Sequence, residues 1–385
     1  MTEPIPVRPS ENAAIRAGFL GGGFMAAVHT RAVRAAGAHL AALSSSTPER
    51  AAEAAGSLGV ERAASDPAGV IAASDVVHVC TPNREHAAHA LAALAAGRHV
   101  VCEKPLAVTV ADARALVEAA DAAGVVAAVP FVYRYHPMVR EARAMVHSGE
   151  AGTILTVDAA YLQDWMLRPT DGNWRAQGEA GGPSRAFADI GSHLCDLLEF
   201  VTGDRIVRLT ARTRTVYPER DGGPVANEDV AALVVEFAGG ALGTLLVSQM
   251  AAGRKNALVF ELHGSQRTVR FEQERPEELW IGGREGSLVR MRDAATLSPD
   301  AARLSIVPSG HPMGYQDAFN GFVRDAYAAV RGEAPEGLPT FHDGLRAAIV
   351  TEAVLRSADA NGAWVEVALD VDVDVAEDGH RGEIR

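Results

Sequence analysis

The chain has 385 residues, 48% of them hydrophobic, enough to bury a sizeable core and more than one ordinary domain needs, so two domains are expected. With 36 Lys and Arg against 49 Asp and Glu the formal charge is -13 and no basic stripe interrupts it, which argues against a nucleic-acid partner. No apolar run reaches the roughly 18 residues that span a bilayer, and residues 1–12 lack the basic and apolar stretches of a signal peptide, so a cytoplasmic protein without a membrane partner is expected.

Short apolar runs at 15–20, 39–43, 76–80, 99–102 and 125–129 alternate with Ala-rich stretches of helical period at 25–36, 48–58, 84–96 and 109–123. Continuous apolar strands alternating with helices predict a doubly wound parallel α/β sheet covered on both faces, that is, a dinucleotide-binding Rossmann domain over 13–132. Gly37, Gly97 and Gly124 fall just after three of the helices, where a C-terminal cap wants glycine. Beyond Gly149 the pattern changes to β-type segments at 154–161, 206–216, 230–237, 241–248, 257–262 and 268–271. They predict a second α/β domain, 133–369, on a large, mostly antiparallel open sheet, with helices at 189–201, 314–331 and 343–361. Residues 1–12 and 370–385 read as flexible tails. The three cysteines, Cys80, Cys102 and Cys195, lie in or beside apolar segments without ligand spacing, so core thiols are expected and no metal.

Gly21, Gly23, Phe24, Met25 and Ala26 follow the first strand and open the first helix, the setting in which a glycine turn cradles a pyrophosphate. After the second strand the chain reads Ser44-Ser45-Ser46-Thr47-Pro48-Glu49-Arg50, with no acid at the strand end to hold a ribose diol. Ser45, Ser46 and Arg50 suit a 2′-phosphate, which favours NADP over NAD, although the same serines serve equally as a turn capping the next helix. Gln163, Asp164, Trp165, Trp174 and Arg175 combine aromatic faces with amide, carboxylate and guanidinium groups, a set suited to a sugar ring; His311, in a Gly-His-Pro loop, is a further pocket candidate.

Four motifs stand in one order: Gly21-x-Gly23-Phe24-Met25-Ala26, Thr81-Pro82-Asn83-x-x-His86, Glu103-Lys104-Pro105 and Asp189-Ile190-Gly191-Ser192-His193. In order and spacing they resemble the Gfo/Idh/MocA family, the glucose-fructose oxidoreductase and inositol dehydrogenase group, from about residue 15 to 367. Tyr161 to Trp165 with Asn173-Trp174-Arg175 resembles its levoglucosan dehydrogenase-like sugar dehydrogenase branch. The resemblance implies an NAD(P)-dependent enzyme moving hydride reversibly at a ring carbinol of a sugar, sugar derivative or cyclitol. It implies that Lys104 lies between nicotinamide and substrate, with Pro105 cis, and that Thr81, Pro82, Asn83, His86, Glu103, Trp174 and Arg175 border the cofactor. It also implies a substrate contact at Tyr133, and a homo-oligomer, dimer or tetramer, packed through the outer face of the second sheet. An ammonium at Lys104 stabilises an alkoxide and lowers a neighbouring imidazole's pKa, so His193 is the expected proton acceptor and donor. Asp189, at i−4, is expected to bind substrate or orient His193. Two rivals remain: a non-catalytic dinucleotide-binding regulator or scaffold on the same fold, and a dihydrodiol or imine-type reductase.

Overall fold

A computed structural model describes residues 14–176 and 181–369. The first half alternates strand and helix: β1 (Arg16–Leu20), α1 (Phe24–Ala35), β2 (His39–Ser44), α2 (Pro48–Leu58), β3 (Arg62–Ala63), α3 (Pro67–Ala72), β4 (Val76–Val79), α4 (His86–Ala95), β5 (His99–Cys102), α5 (Val110–Ala123) and β6 (Ala127–Ala128). The strands form one parallel sheet in the order β3-β2-β1-β4-β5-β6, so the chain reverses direction across the sheet between β1 and β4. Side chains are buried along the full length of β4, and nearly so in β1 and β5, as a sheet covered on both faces requires. The helices are punctuated chemically. Thr47 and Thr109 accept the backbone N–H of Arg50 and Asp112 at the starts of α2 and α5, and Gly59 and Gly124 end them in the left-handed conformation.

The second half opens with α6 (Pro137–His147) and continues through β7 (Ile154–Leu162), α7 (Ser192–Thr202), β8 (Ile206–Arg214), the short β9 (Glu219–Arg220) and β10 (Gly223–Pro224), and β11 (Val230–Phe237). It ends with β12 (Leu242–Ser248), β13 (Ala257–Gly264), β14 (Thr268–Glu272), β15 (Glu278–Gly283), β16 (Gly286–Met291), α8 (Pro299–Leu304), α9 (Tyr315–Val330), α10 (Phe341–Asp359) and β17 (Val365–Glu366). Nine strands make one open sheet, β16-β15-β14-β13-β7-β12-β11-β8-β17, antiparallel except for the β7–β12 pair. In β11 the buried Ala231, Leu233, Val235 and Phe237 alternate with the opposite face, on which the adjoining β12 leaves Leu242 and Leu246 exposed.

Two departures from expectation matter for the site. The predicted helix over 189–201 begins with a π-helical turn, Phe187–Gly191, and becomes an α-helix only at Ser192. In addition, α9 does not stay with the second sheet: its Phe319, Phe322, Val323 and Tyr327 share a core with Ile15, Phe19, Val28 and Val33 of the first half. Among the described residues no helix is long and apolar enough to cross a membrane. The proposed tails, 1–12 and 370–385, lie outside the described residues.

Candidate active site

At the carboxyl ends of β1, β2 and β4 the glycine turn opens a cleft of about 1050 Å³. Gly21 sits at φ +102°, and a Cβ there would stand 2.6 Å from the Cys80 carbonyl oxygen, so only glycine makes this turn. Gly23 precedes α1, has no side-chain cap, and a Cβ on it would meet nothing within 4 Å. The first backbone N–H groups of α1 therefore face open space with no acid in the first turn, a cradle for an anion. Phe24, Met25, Ser45, Ser46, Arg50, Thr81, Pro82, Trp165, Trp174 and Arg175 line the same cleft. Thr81 Oγ1 is buried without a partner, a free hydrogen-bonding group on the wall. At the β2 end Arg50 Nη1 donates to Ser46 Oγ at 3.2 Å and no carboxylate lines that corner. These residues fit a dinucleotide: a glycine turn, a free helix N-terminus, an orphan hydroxyl and a hydroxyl-rich, cationic far end.

The cleft runs into an inner cavity of about 280 Å³ between the sheets, lined by Glu103, Lys104, Tyr133 and His193, with Phe24, Met25, Gln163, Arg175 and Asp189 shared. Residues 104 and 189 meet where β5 ends, at a cis Lys104-Pro105 bond, and the π-helical turn presents Asp189. Lys104 Nζ donates to Asp189 Oδ1 at 2.7 Å and to its carbonyl oxygen at 2.9 Å. Gln249 Nε2 donates to Asp189 Oδ2 at 3.0 Å, and Arg175 Nε lies 3.5 Å from Oδ1. Burial pushes the Asp189 carboxyl up, but Lys104 and Arg175 outweigh it and hold it at about 2, so it is a carboxylate. The turn that carries Asp189 is itself pinned by buried Glu228, whose Oε1 accepts from Ser184 Oγ and from the N–H groups of Arg185 and Phe187.

His193 is 6% exposed, wedged edge-on between Phe131 and Tyr133 at ring separations of 5.6 and 5.0 Å. Burial first and the Lys104 ammonium second hold it well below the usual imidazole range, with Asp189 pulling the other way. Its Nδ1 is buried without a partner. The imidazole is thus neutral at physiological pH, as a proton acceptor has to be.

Several expected residues sit elsewhere. No hydrogen bond among the described residues joins Asp189 to His193; the π-helical turn replaces the i−4 stacking of an α-helix and sends the carboxylate to Lys104. Asn83 is buried and starts a 3₁₀ turn, Asn83–Glu85. The His86 ring is held between two backbone carbonyls, Pro105 O at Nδ1 and Thr81 O at Nε2, both at 2.8 Å, so it braces the cleft wall rather than lining it. Asp164 turns to Lys255 Nζ at 2.7 Å and the Gly253 N–H at 3.0 Å, a loop-to-loop tie. His311 is exposed and lines neither cavity, since buried Arg292 takes its carbonyl and fixes the loop outward.

Three further side chains line the inner cavity beyond the expected site residues: Tyr161, which opens the Tyr161–Trp165 motif, and Asn256 and Tyr315, which lie outside every motif. Asn256 is a hub. Its Oδ1 accepts from Tyr161 Oη at 2.7 Å and from Gln163 Nε2 at 2.8 Å, and its Nδ2 donates to Tyr133 Oη at 3.0 Å. Trp165 Nε1 donates to Gln163 Oε1 at 2.7 Å, extending the network to the cleft. Only Tyr161 carried a sequence signal, as the last inward residue of an alternating strand.

Residues 15–131 match a family described as the oxidoreductase family with an NAD-binding Rossmann fold, and 139–270 match the GFO/IDH/MocA C-terminal domain. Levoglucosan dehydrogenase of Pseudarthrobacter phenanthrenivorans is 32% identical over 92% of this chain and 98% of its own. This chain belongs to the GFO/IDH/MocA family of oxidoreductases. A solved levoglucosan dehydrogenase in complex with NADH and levoglucosan superposes with a TM-score of 0.86 at 32% identity, covering 92% of this chain and all (100%) of that one. An oxidoreductase domain protein from Kribbella flavida gives 0.86 at 36% identity, with the same coverage of 92% and 100%. An inositol dehydrogenase homolog from Azotobacter vinelandii, in complex with NADH and myo-inositol, gives 0.83 at 28%, covering 92% and 98%. The family's two-domain plan is the one seen here, a parallel Rossmann sheet followed by a mostly antiparallel one.

Proposed function

We propose that this family member is a nicotinamide-dependent dehydrogenase that oxidises, and in reverse reduces, a ring carbinol of a sugar, sugar derivative or cyclitol. The observation that carries the reading is the convergence of Lys104, Asp189 and His193 in a cavity continuous with the glycine-turn cleft. A bound nicotinamide supplies the hydride acceptor. Gly21, Gly23 and the α1 N-terminus hold the pyrophosphate, Thr81 and Pro82 wall it, and Ser45, Ser46 and Arg50 receive the adenosine ribose.

In oxidation His193 takes the hydroxyl proton as the carbinol loses hydride, and in reduction it returns that proton. Lys104 has three N–H donors; Asp189 takes two, leaving one for the substrate oxygen as it gains alkoxide character. Asp189 thus acts through Lys104, setting its orientation and balancing its charge. Tyr133, Gln163, Asn256 and Trp165 form the sugar-facing wall, with enough donors and acceptors to read several ring hydroxyls. The absence of a carboxylate beside Ser45 and Ser46 leads us to assign NADP(H) binding at least as tight as NAD(H). The exposed Leu242 and Leu246 on the outer face of the second sheet are where we place a second copy of the chain.

Quenching of NADH and NADPH fluorescence, followed by turnover on a panel of sugars and cyclitols, tests the reading. Lys104→Ala and His193→Ala should each lower turnover by at least about a hundredfold while cofactor affinity stays within a few fold. Near-normal turnover in either variant, or failure of the protein to quench both cofactors, overturns it.

A further inference from the structure

Beneath the catalytic cavity four buried groups, of which only Glu103 stands in one of the four motifs above, touch in a row. His29 on α1 places Nε2 at 2.9 Å from Glu103 Oε1; its Nδ1 meets Nδ1 of His78 on β4 at 2.8 Å; and His78 Nε2 meets Tyr327 Oη on α9 at 2.7 Å. His29, His78 and Tyr327 are all 0% exposed, and Phe19 and Phe319 pack on the two imidazoles. The other Glu103 oxygen, Oε2, accepts the Lys104 backbone N–H at 3.2 Å.

Proton counting gives this row a direction. A carboxylate only accepts, and a contact between two Nδ1 atoms needs one proton, no more and no fewer. Tyr327 Oη has His78 as its hydrogen-bond partner among the described residues. If Tyr327 accepted from His78, its own O–H would be buried with no acceptor, so it donates. His78 Nε2 then accepts, His78 carries its proton on Nδ1 and donates to His29, and His29 carries its proton on Nε2 and donates to Glu103. Adding a proton to His29 would reverse His78 and orphan the Tyr327 hydroxyl, so a single arrangement satisfies all four groups. Burial keeps His78 well below the usual imidazole range, in agreement with a neutral ring. Burial raises the Glu103 carboxyl, whereas the His29 hydrogen bond and the Lys104 ammonium lower it, in agreement with a carboxylate.

We infer that Tyr327, His78 and His29 are positioning residues: a one-way hydrogen-bond chain that holds Glu103 ionised and, through Oε2, fixes the Lys104 main chain beside the reacting atoms. The inference rests on the catalytic reading of Lys104 given above.

Histidine-selective ¹⁵N labelling of the full chain, read by long-range ¹H–¹⁵N spectra, tests the direction of the chain. His29 should appear as the Nε2–H tautomer and His78 as the Nδ1–H tautomer, the His78 ring staying so from about pH 6 to 8, where a free imidazole titrates. A His78 proton on Nε2, or a doubly protonated His29, overturns the inference. His29→Gln keeps a donor for Glu103 and an acceptor for His78 and should retain kcat within about threefold, whereas His29→Leu should lose at least about tenfold with NADPH affinity unchanged. Should His29→Leu not fold, Tyr327→Phe, which removes one oxygen, should leave His78 as the Nδ1–H tautomer, set by His29 and Glu103, while the Nε2 resonance moves as it loses its donor; a His78 proton on Nε2 in that variant also overturns the inference. If Lys104→Ala abolishes turnover while folded His29→Leu keeps it, the chain alone is wrong; if Lys104→Ala keeps turnover, the catalytic reading is wrong.

Discussion

Asp189→Asn probes the charge balance of the site with a nearly isosteric change. The carboxyl is drawn from its ordinary 3.8 to about 2 by Lys104 and Arg175 against the opposing effect of burial. At about 1.4 kcal/mol per pH unit this corresponds to about 2 kcal/mol favouring the ionised, folded state. Because the folded value lies below the unfolded one, that stability is present above 3.8 and is lost as pH falls through about 2. The amide also has one acceptor where the carboxylate uses two, so with Lys104 on its oxygen Gln249 keeps a bond only by turning its own amide over. Denaturant unfolding of Asp189→Asn against the parent should therefore show a loss of about 2 kcal/mol at pH 7 and roughly half of that at pH 3. Asp189 also props up the basicity of His193, so its removal should move the acid limb of the oxidation profile to lower pH as kcat falls. Unchanged stability at pH 7, or an acid limb that rises, would refute the charge balance described here.

Ser45→Asp places an anion where a 2′-phosphate is proposed and should shift preference towards NAD(H); much tighter NAD(H) than NADP(H) binding by the unaltered protein, in paired titrations, would defeat the assignment. Gln163→Ala and Asn256→Ala each break the hydrogen-bonded wall and should raise KM for the sugar, or exchange one sugar for another, with cofactor affinity unchanged; a rise in cofactor Kd alone would place them outside the substrate wall. Gly21→Ala forces a Cβ to within 2.6 Å of the Cys80 carbonyl oxygen at a φ of +102° and should weaken cofactor binding by at least about tenfold, one kcal/mol or more of strain being the usual scale; unaltered quenching titrations would show that the turn can shift freely.

The Rossmann half was legible because its signals are local. Apolar runs, threonine caps and terminal glycines recur within a few residues of one another, so α2 and β5 fall where the sequence places them. The two-residue β3 and six-residue α3 are too short for any periodicity to register. In α6 the buried face includes Arg140 and Glu141, charges paired with distant Asp300 and Arg290, which disguises an inward face as a solvated one. β16 exposes nearly every residue and so shows no alternation. At the site, Lys104 and His193 were nameable from motifs, whereas Asn256 and Tyr315 enter through loop and helix ends whose direction only the tertiary packing sets. His86 and Asp164 show the converse: polar groups beside a cleft can be taken up by backbone carbonyls and neighbouring lysines.

Because α9 lays Phe319 and Phe322 against the same apolar surface as Val28 of α1, with Gln316 Nε2 donating to the Val28 carbonyl, the boundary along the chain is not the boundary in space. A fragment ending near residue 132 would leave Ile15, Phe19 and Val28 wet and should be recovered as aggregate. The same holds for chimeras. Grafting another relative's substrate sheet onto this cofactor half should succeed only when residues 315–330 travel with the cofactor half, or when the donor helix is repacked against α1. New specificity in this scaffold is therefore better sought by exchanging the strand ends around Gln163 and Asn256 than by exchanging whole domains.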